Sequence, residues 1–316
     1  DSCLVGSEMC IRDSYAPICS RNGVAFFGRD SEATLPVWSA KDGYPGDPHY
    51  REFHRDLGWD LPLEKLAPLG LSQPRPLSLK LHRVTGHSAP LEAKQPYQPD
   101  IAAGRVRDHA RHYLQGRQRQ LRQLGGSMAV PPLLVAPFDA ELFGHWWFEG
   151  PAFLKELFRQ GPDQGVGFTR LRDVLTSAGQ LQLCDPCPSS WGQGGYHNYW
   201  LNDTNAWVVP QWERAGEAMV RRCSQGVARE SDLELLRQAA RELLLSQSSD
   251  WSFILRAGTT TGLARERIER HLERFWRLIT AIDERQDVPA EWLDNVRRDD
   301  RLFPLIQPLD WAKTGA

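Results

Sequence analysis

PLLVAPFDAELFGHWWFEGP, residues 132–151, is the stretch on which the reading of this chain turns. Pro132-Leu133-Leu134-Val135-Ala136-Pro137 is a short apolar run bounded by prolines, and it predicts a fully buried parallel strand. A polar and aromatic segment follows, with Asp139, Glu141, His145, Trp146, Trp147 and Glu149 close together. A helix is predicted from about Pro151 to Arg159, with proline in its first turn. Strand, polar loop, helix is the repeating unit of an α/β barrel, whose active sites sit at the C-terminal ends of the strands. Asp139 falls at such an end. A carboxyl walled by aromatic rings is expected to lose solvation, which raises its pKa and suits it to general acid work. The same residues also read as an aspartate capping a turn beside core tryptophans. Residue types alone leave the two readings even.

Outward from this block, the 316-residue chain has room for one large domain or two ordinary ones. A net charge of −2 gives no electrostatic case for nucleic acid or for an anionic membrane surface. No apolar run approaches the roughly 20 residues of a membrane span. Asp1–Ser14 lacks the basic start and apolar core of a secretory signal, so the cytoplasm is the expected location. That segment shows no period either, and reads as artefactual or disordered. The 12 tryptophans are an excess that either fills core or supplies flat faces on which sugar rings stack. Cys184 and Cys187 form a single C-x-x-C without a second pair, so free thiols are expected rather than a zinc site.

Gly23–Asp30 reads as a short buried strand ending in a polar turn, and the Gly- and Pro-punctuated remainder up to residue 60 reads as loop. A strand is expected near Leu77–Val84. Residues 100–124 read as a helix with one solvated face, because Arg and Gln dilute its apolar positions. Trp212–Cys223, Ser231–Gln247 and Gly262–Ile282 read as three further helices, the second capped by Ser231 with Glu234 three residues on. Ser189–Trp200 places four aromatics among glycines and small polar residues, which suits a cleft wall or an irregular core-covering loop. Asp250, in Ser248-Ser249-Asp250-Trp251, reads by itself as a turn residue satisfying backbone N–H groups.

Five blocks, VAFFGRD, VWSAKDGYPGD, APFDAELFGHWWFEGP, SSWGQGGYHNYWLN and QSSDWSFILRAGTTT, occur in this order between Val24 and Thr261. With them the chain resembles the family 57 glycoside hydrolases, and within these the 1,4-α-glucan branching enzymes, from about Gly23 to Pro308. The resemblance implies the later part of a distorted (β/α)7 barrel over residues 15–205, followed by an α-helical domain over 206–316. It implies a retaining double displacement on α-1,4-glucan, in which a Glu nucleophile forms a glycosyl-enzyme and an Asp acts as acid and then base. The resemblance assigns Asp139 as the acid/base. It assigns Arg29, Trp38, Gly46, Trp191, Trp200, Asp250 and Thr259 to substrate binding. No metal or other cofactor is called for, since carboxylates handle both charges. The family's nucleophile lies in an earlier block that has no counterpart here, so the resemblance further implies an N-terminally truncated polypeptide, inactive on its own. A hydrolase or 4-α-glucanotransferase of the same family is the near alternative. A non-catalytic α-glucan-binding chain and a plain helical interaction module are the distant ones.

Overall fold

The computed structural model describes residues 14–190, 193–227 and 229–312. Within them the chain forms two compact units that meet at Pro186/Cys187 in the sequence.

The first unit is organised by one long helix. Helix α4 (Pro99–Gly125) follows α1 (Ser31–Trp38) and the single-turn helices α2 (Leu57–Asp60) and α3 (Leu63–Leu66). Pro99 at its first position is pre-set for a helix start. The residues it buries are Ala102, Val106, Ala110, Leu114, Arg117 and Gln120. They recur every three or four positions and so form one stripe. Against the upper part of that stripe pack Tyr44, Tyr50, Trp147 and Phe153, the last from helix α5 (Gly150–Gln160). The helix expected from Pro151 to Arg159 is therefore present, one residue longer at each end. Helix α6 (Leu171–Ser177) follows.

Regular strand is scarce. β1 (Ile18–Cys19) pairs antiparallel with β2 (Ala25–Phe26) and parallel with β3 (Gln182–Leu183), giving the order β2-β1-β3. The expected strand in Gly23–Asp30 is thus only two residues long, and Phe26 is exposed rather than buried. The apolar run 132–137 is extended but forms no strand among the described residues. Leu133 donates to the Tyr15 carbonyl at 2.7 Å and Val135 accepts from the Asp30 amide at 2.8 Å. Pro131, Pro132 and Pro137 have no N–H with which to continue a ladder. Leu77–Val84 likewise holds only isolated bridges, Arg51 with Arg83 and His82 with Pro96.

Part of the expected loop is helical instead. Asp30 caps α1, its carboxylate accepting from the amides of Glu32 (3.3 Å) and Ala33 (3.1 Å). Pro36 inside this helix is the feature that disguises it in the sequence.

The second unit is helical, as its periodicity predicts: α7 (Val209–Ser224), α8 (Glu230–Ser246), α9 (Ser249–Ala257), α10 (Thr261–Asp283) and α11 (Ala290–Asp299). Leu236, Ala240 and Leu243 of α8 meet Ile268, Leu272, Phe275 and Ile279 of α10 in one core. Ser231 lies inside α8 and makes no cap; Arg229 occupies the cap position, without a side-chain cap bond.

Candidate functional site

Asp139 ends the tethered segment 132–138. Its backbone carbonyl accepts from Leu142 at 3.2 Å, starting a single 3-10 turn over Ala140–Leu142. The carboxylate makes no cap bond to that turn, so the turn-capping reading does not hold. Nor does the expectation of a desolvated acid hold, because Asp139 is exposed. The aromatics that follow it point elsewhere. Trp147 is sealed in the core, 5.0 Å from Phe153 and 5.7 Å from Tyr50 between ring centroids. Trp146 is 54% exposed and stacks on Phe53 at 4.5 Å. Trp147 therefore fits the core-filler reading, and Trp146 offers a free ring face.

Glu149 is also buried. It accepts from the Arg51 amide at 3.0 Å and hydrogen-bonds Tyr97. Burial holds its carboxyl above the ordinary range. It ties residues 51, 97 and 149 together and faces the interior, which suits a structural duty.

Arg29 is exposed and directly precedes Asp30. Trp38 closes α1 and is 42% exposed. After it the chain turns back, with Gly43 donating to the Ser39 carbonyl at 2.9 Å. Gly46 is buried in this turn. A Cβ there would collide with the Ala40 carbonyl oxygen and lie 2.7 Å from His87 Cε1. The fold itself therefore requires glycine at 46, whatever ligand approaches.

The turn is pinned to α4 by a polar cluster. Asp47 accepts from Arg105 Nη2 at 2.9 Å and lies 3.5 Å from His109 Nε2. The Tyr50 hydroxyl bonds His109 Nδ1, and the Tyr44 hydroxyl bonds His112 Nδ1, both at 2.8 Å. Burial lowers the His109 pKa to about 4, outweighing the nearby Asp47, which raises it. Neutral His109 shares a hydrogen bond with the Tyr50 hydroxyl through Nδ1, while its Nε2 faces Arg105 Nη2 at 3.3 Å and Asp47 at 3.5 Å. Burial pushes the Tyr44 hydroxyl up to about 12. None of these α4 side chains stood out in the sequence, where Arg, Gln and His on a helix read as a solvated face. The buried stripe running from Ala102 through Leu114 ends instead on two polar side chains, Arg117 and Gln120.

In the second unit, Trp200 is half-buried beside Tyr199 (5.8 Å) and Phe253 (6.2 Å). Asn205, fully buried, donates to the carbonyls of Tyr199 (3.3 Å) and Ser252 (3.4 Å), while its Oδ1 accepts from the Asn202 amide at 2.8 Å. It thereby holds the Trp200 loop against α9, whose first turn carries Asp250. Asp250 is exposed and satisfies no backbone amide; Ser248 Oγ lies 3.4 Å away. The turn role read from sequence is not seen. Thr259 is exposed just past the Gly258 cap. Trp191 lies outside the described residues.

Among the described residues, one group has metal-ligand spacing: Glu242, His271 and Asp300, with ligand atoms within 4.8 Å of one another. Its members already engage one another and their neighbours. Glu242 accepts from Gln238 (2.8 Å) and bonds His271 Nδ1 (2.7 Å), and Asp300 pairs with Arg274. Burial raises the Glu242 pKa. This network joins α8, α10 and the end of α11 inside the helical unit, with the Arg274 guanidinium already paired to Asp300.

Comparison with known proteins sets these sites in a family. Residues 211–311 match the family described as 1,4-alpha-glucan branching enzyme, C-terminal. Over 259 residues the chain is 36% identical to the 1,4-alpha-glucan branching enzyme of Thermococcus kodakarensis, covering 81% of this chain and 36% of that one. The GH57-type branching enzyme structure from Pyrococcus horikoshii superposes with a TM-score of 0.79 at 31% identity, covering 98% of this chain. In sequence and in fold the chain is similar to branching enzymes of the GH57 type. The alpha-amylase AmyC of Thermotoga maritima is equally similar in fold, with a TM-score of 0.77 at 36% identity over 96% of this chain. The chain spans 55% and 57% of the lengths of these two structures. The chain is mostly helical over its described residues, and no described helix is long and apolar enough to cross a membrane.

Proposed function

We propose that this chain supplies the acid/base and much of the glucan-binding surface of a 1,4-α-glucan branching enzyme. The observation that carries the reading is Asp139. Its carboxylate sits at the end of a doubly tethered segment, open to solvent, with no cap bond or ion pair among the described residues. A side chain held in place yet given no structural duty is available to a substrate.

In this reading residues 15–205 are the later part of a distorted (β/α)7 barrel and residues 206–316 its helical companion. Asp139 protonates the glycosidic oxygen of an α-1,4-linked chain as a glutamate nucleophile attacks the anomeric carbon. Asp139 then takes the proton of an incoming sugar 6-hydroxyl, which displaces the enzyme and creates an α-1,6 branch. Arg29 donates to sugar hydroxyls, and Asp250 and Thr259 bond hydroxyls at the helical unit. Trp38, Trp191 and Trp200 supply stacking faces, and the turn at Gly46 lets the backbone approach the chain. Acceptor subsites that order a sugar and limit water favour transfer over hydrolysis. Two carboxylates carry the charge, so the steps call for no metal or other cofactor. A reducing, cytoplasmic setting fits the free thiols of Cys19, Cys184, Cys187 and Cys223.

The match of residues 211–311 favours branching over the amylase-type alternative. Titrating this chain with maltoheptaose while following tryptophan fluorescence tests the reading. Saturable quenching without turnover is expected of the chain alone, since it carries no nucleophile block. A flat titration would leave only a helical interaction module.

A further inference from the structure

Asp30 is 2% exposed, and its carboxylate takes more donors than a helix cap requires. Besides the amides of Glu32 and Ala33, it accepts from Arg117 Nη1 at 3.2 Å and from Gln120 Nε2, 3.1 Å from each oxygen. Arg117 Nη2 also reaches Glu32 at 2.7 Å. The Tyr15 hydroxyl bonds both Asp30 and Gln120, and burial together with the Asp30 charge raises its pKa. The Asp30 amide is used as well, donating to the Val135 carbonyl at 2.8 Å.

We propose that the Asp30–Arg117–Gln120 cluster is a positioning device that fixes Arg29 relative to Asp139, through Asp30 and the Val135–Phe138 segment. The proposal deepens the functional reading above and rests on it for the roles of Arg29 and Asp139. One peptide bond separates Arg29 from Asp30. Val135 and Asp139 are four positions apart, and the span is stiff. Pro137 fixes its own φ and holds Ala136 extended, and Phe138 packs edge-on against Phe143 at 5.6 Å. Leu133 is held in turn by the Tyr15 carbonyl. Arg29 and Asp139 are therefore both levered from one buried carboxylate, which α4 clamps from below.

Stability alone is a poor reason for this arrangement. A buried ion pair is often no better than an apolar replacement of the same volume. Here Arg117 Nε and Gln120 Oε1 are buried without a hydrogen-bond partner among the described residues, an added cost. What the cluster provides is geometry: four segments, at Tyr15, Asp30, Arg117–Gln120 and Val135, meet at one point. Arg117 pairs with Glu32 on the helix that carries Trp38, so the stacking face shares the anchor.

The test compares Arg117→Met, which deletes the clamp, with Arg117→Lys, which restores the charge but not the fork, and Leu114→Ala, which weakens the α4 core without touching Asp30. Hydrogen exchange is read for the amides of Asp30, Leu133 and the 128–142 segment. Maltoheptaose affinity is read by tryptophan fluorescence in the same chains. Positioning predicts faster exchange confined to these amides in Arg117→Met. It predicts a loss of affinity on the order of 10-fold, the worth of roughly one charge-assisted hydrogen bond to the glucan. Arg117→Lys should recover part of both. Leu114→Ala should lower the thermal midpoint while leaving affinity within about twofold. The proposal is overturned if Arg117→Met leaves exchange at Leu133 and Asp30 unchanged, or if Leu114→Ala loses affinity equally. If Arg117→Met does not fold, Arg117→Lys decides by the same two readouts. Should the unaltered chain bind no maltoheptaose, the functional reading fails, and hydrogen exchange still reports on the clamp.

Discussion

The Tyr50 hydroxyl and His109 Nδ1 lie 2.8 Å apart beneath the turn that carries Gly46, and the imidazole is held neutral there. Its pKa is lowered from 6.5 to about 4, chiefly by burial. The unfolded chain therefore binds the proton first as pH falls. Stability contributed by the neutral ring is complete above about pH 6.5 and is lost as pH falls through 6.5 toward 4. The loss from this group should be ~2–3 kcal/mol, since each tenfold change in proton affinity is worth about 1.4 kcal/mol and partial solvation of the ring trims the sum. Denaturant unfolding at pH 7 and pH 4 checks it. His109→Gln should flatten the slope in that window, and an unchanged slope would show that His109 is not the titrating group.

Gly46→Ala should destabilise the first unit by about 1–3 kcal/mol, the usual penalty for forcing atoms into a packed site. The obstacle is a backbone carbonyl, at Ala40, which cannot swing aside as a side-chain tip could. A shift of the unfolding midpoint measures the effect. No shift would mean that the turn opens more easily than its contacts suggest.

Trp146 and Trp147 should respond oppositely to truncation. Trp147→Ala leaves a cavity among Tyr50, Phe143 and Phe153, and should cost ~3–5 kcal/mol. Trp146→Ala removes a half-exposed ring and should cost under about 1 kcal/mol. Urea denaturation of both variants separates them, and equal losses would contradict the burial described.

Asn205→Ala should loosen the Trp200 loop from α9. It removes a donor from the Tyr199 and Ser252 carbonyls and the acceptor of the Asn202 amide, a loss of about 1–3 kcal/mol. Maltoheptaose quenching should weaken along with stability in the second unit. Retained affinity would argue that Trp200 does not contact the glucan.

The helical unit was legible in the sequence because packing of α8 on α10 demands a 3.6-residue period, and Leu236, Ala240, Ile268, Leu272 and Phe275 display it openly. Capping was less so: Ser231 has the right residue type but sits inside the first turn, past the cap position. Helix α1 was hidden by Pro36 and the surrounding glycines, although Asp30 is a strong cap residue. The run 132–137 has strand composition, yet its prolines withhold the donors that a ladder needs. The identities of Arg29, Trp38 and Asp139 came with the family blocks. The buried polar groups Asp30, Arg117, Gln120 and His109 did not stand out, because a polar residue signals solvent until its partner is seen. The expected desolvation of Asp139 was inferred from neighbouring tryptophans whose rings turn away from it.

Transfer by a branching enzyme that contains this chain and carries Asp139→Asn is the most direct measurement, scored as new α-1,6 linkages against new reducing ends on amylose. The substitution keeps volume at an exposed site with no cap bond, so the free energy of unfolding should stay within about 0.5 kcal/mol of the unaltered protein. Branch formation should fall by at least roughly 10²-fold, the usual contribution of a general acid/base. Branching that persists in Asp139→Asn at near its original rate would contradict the account.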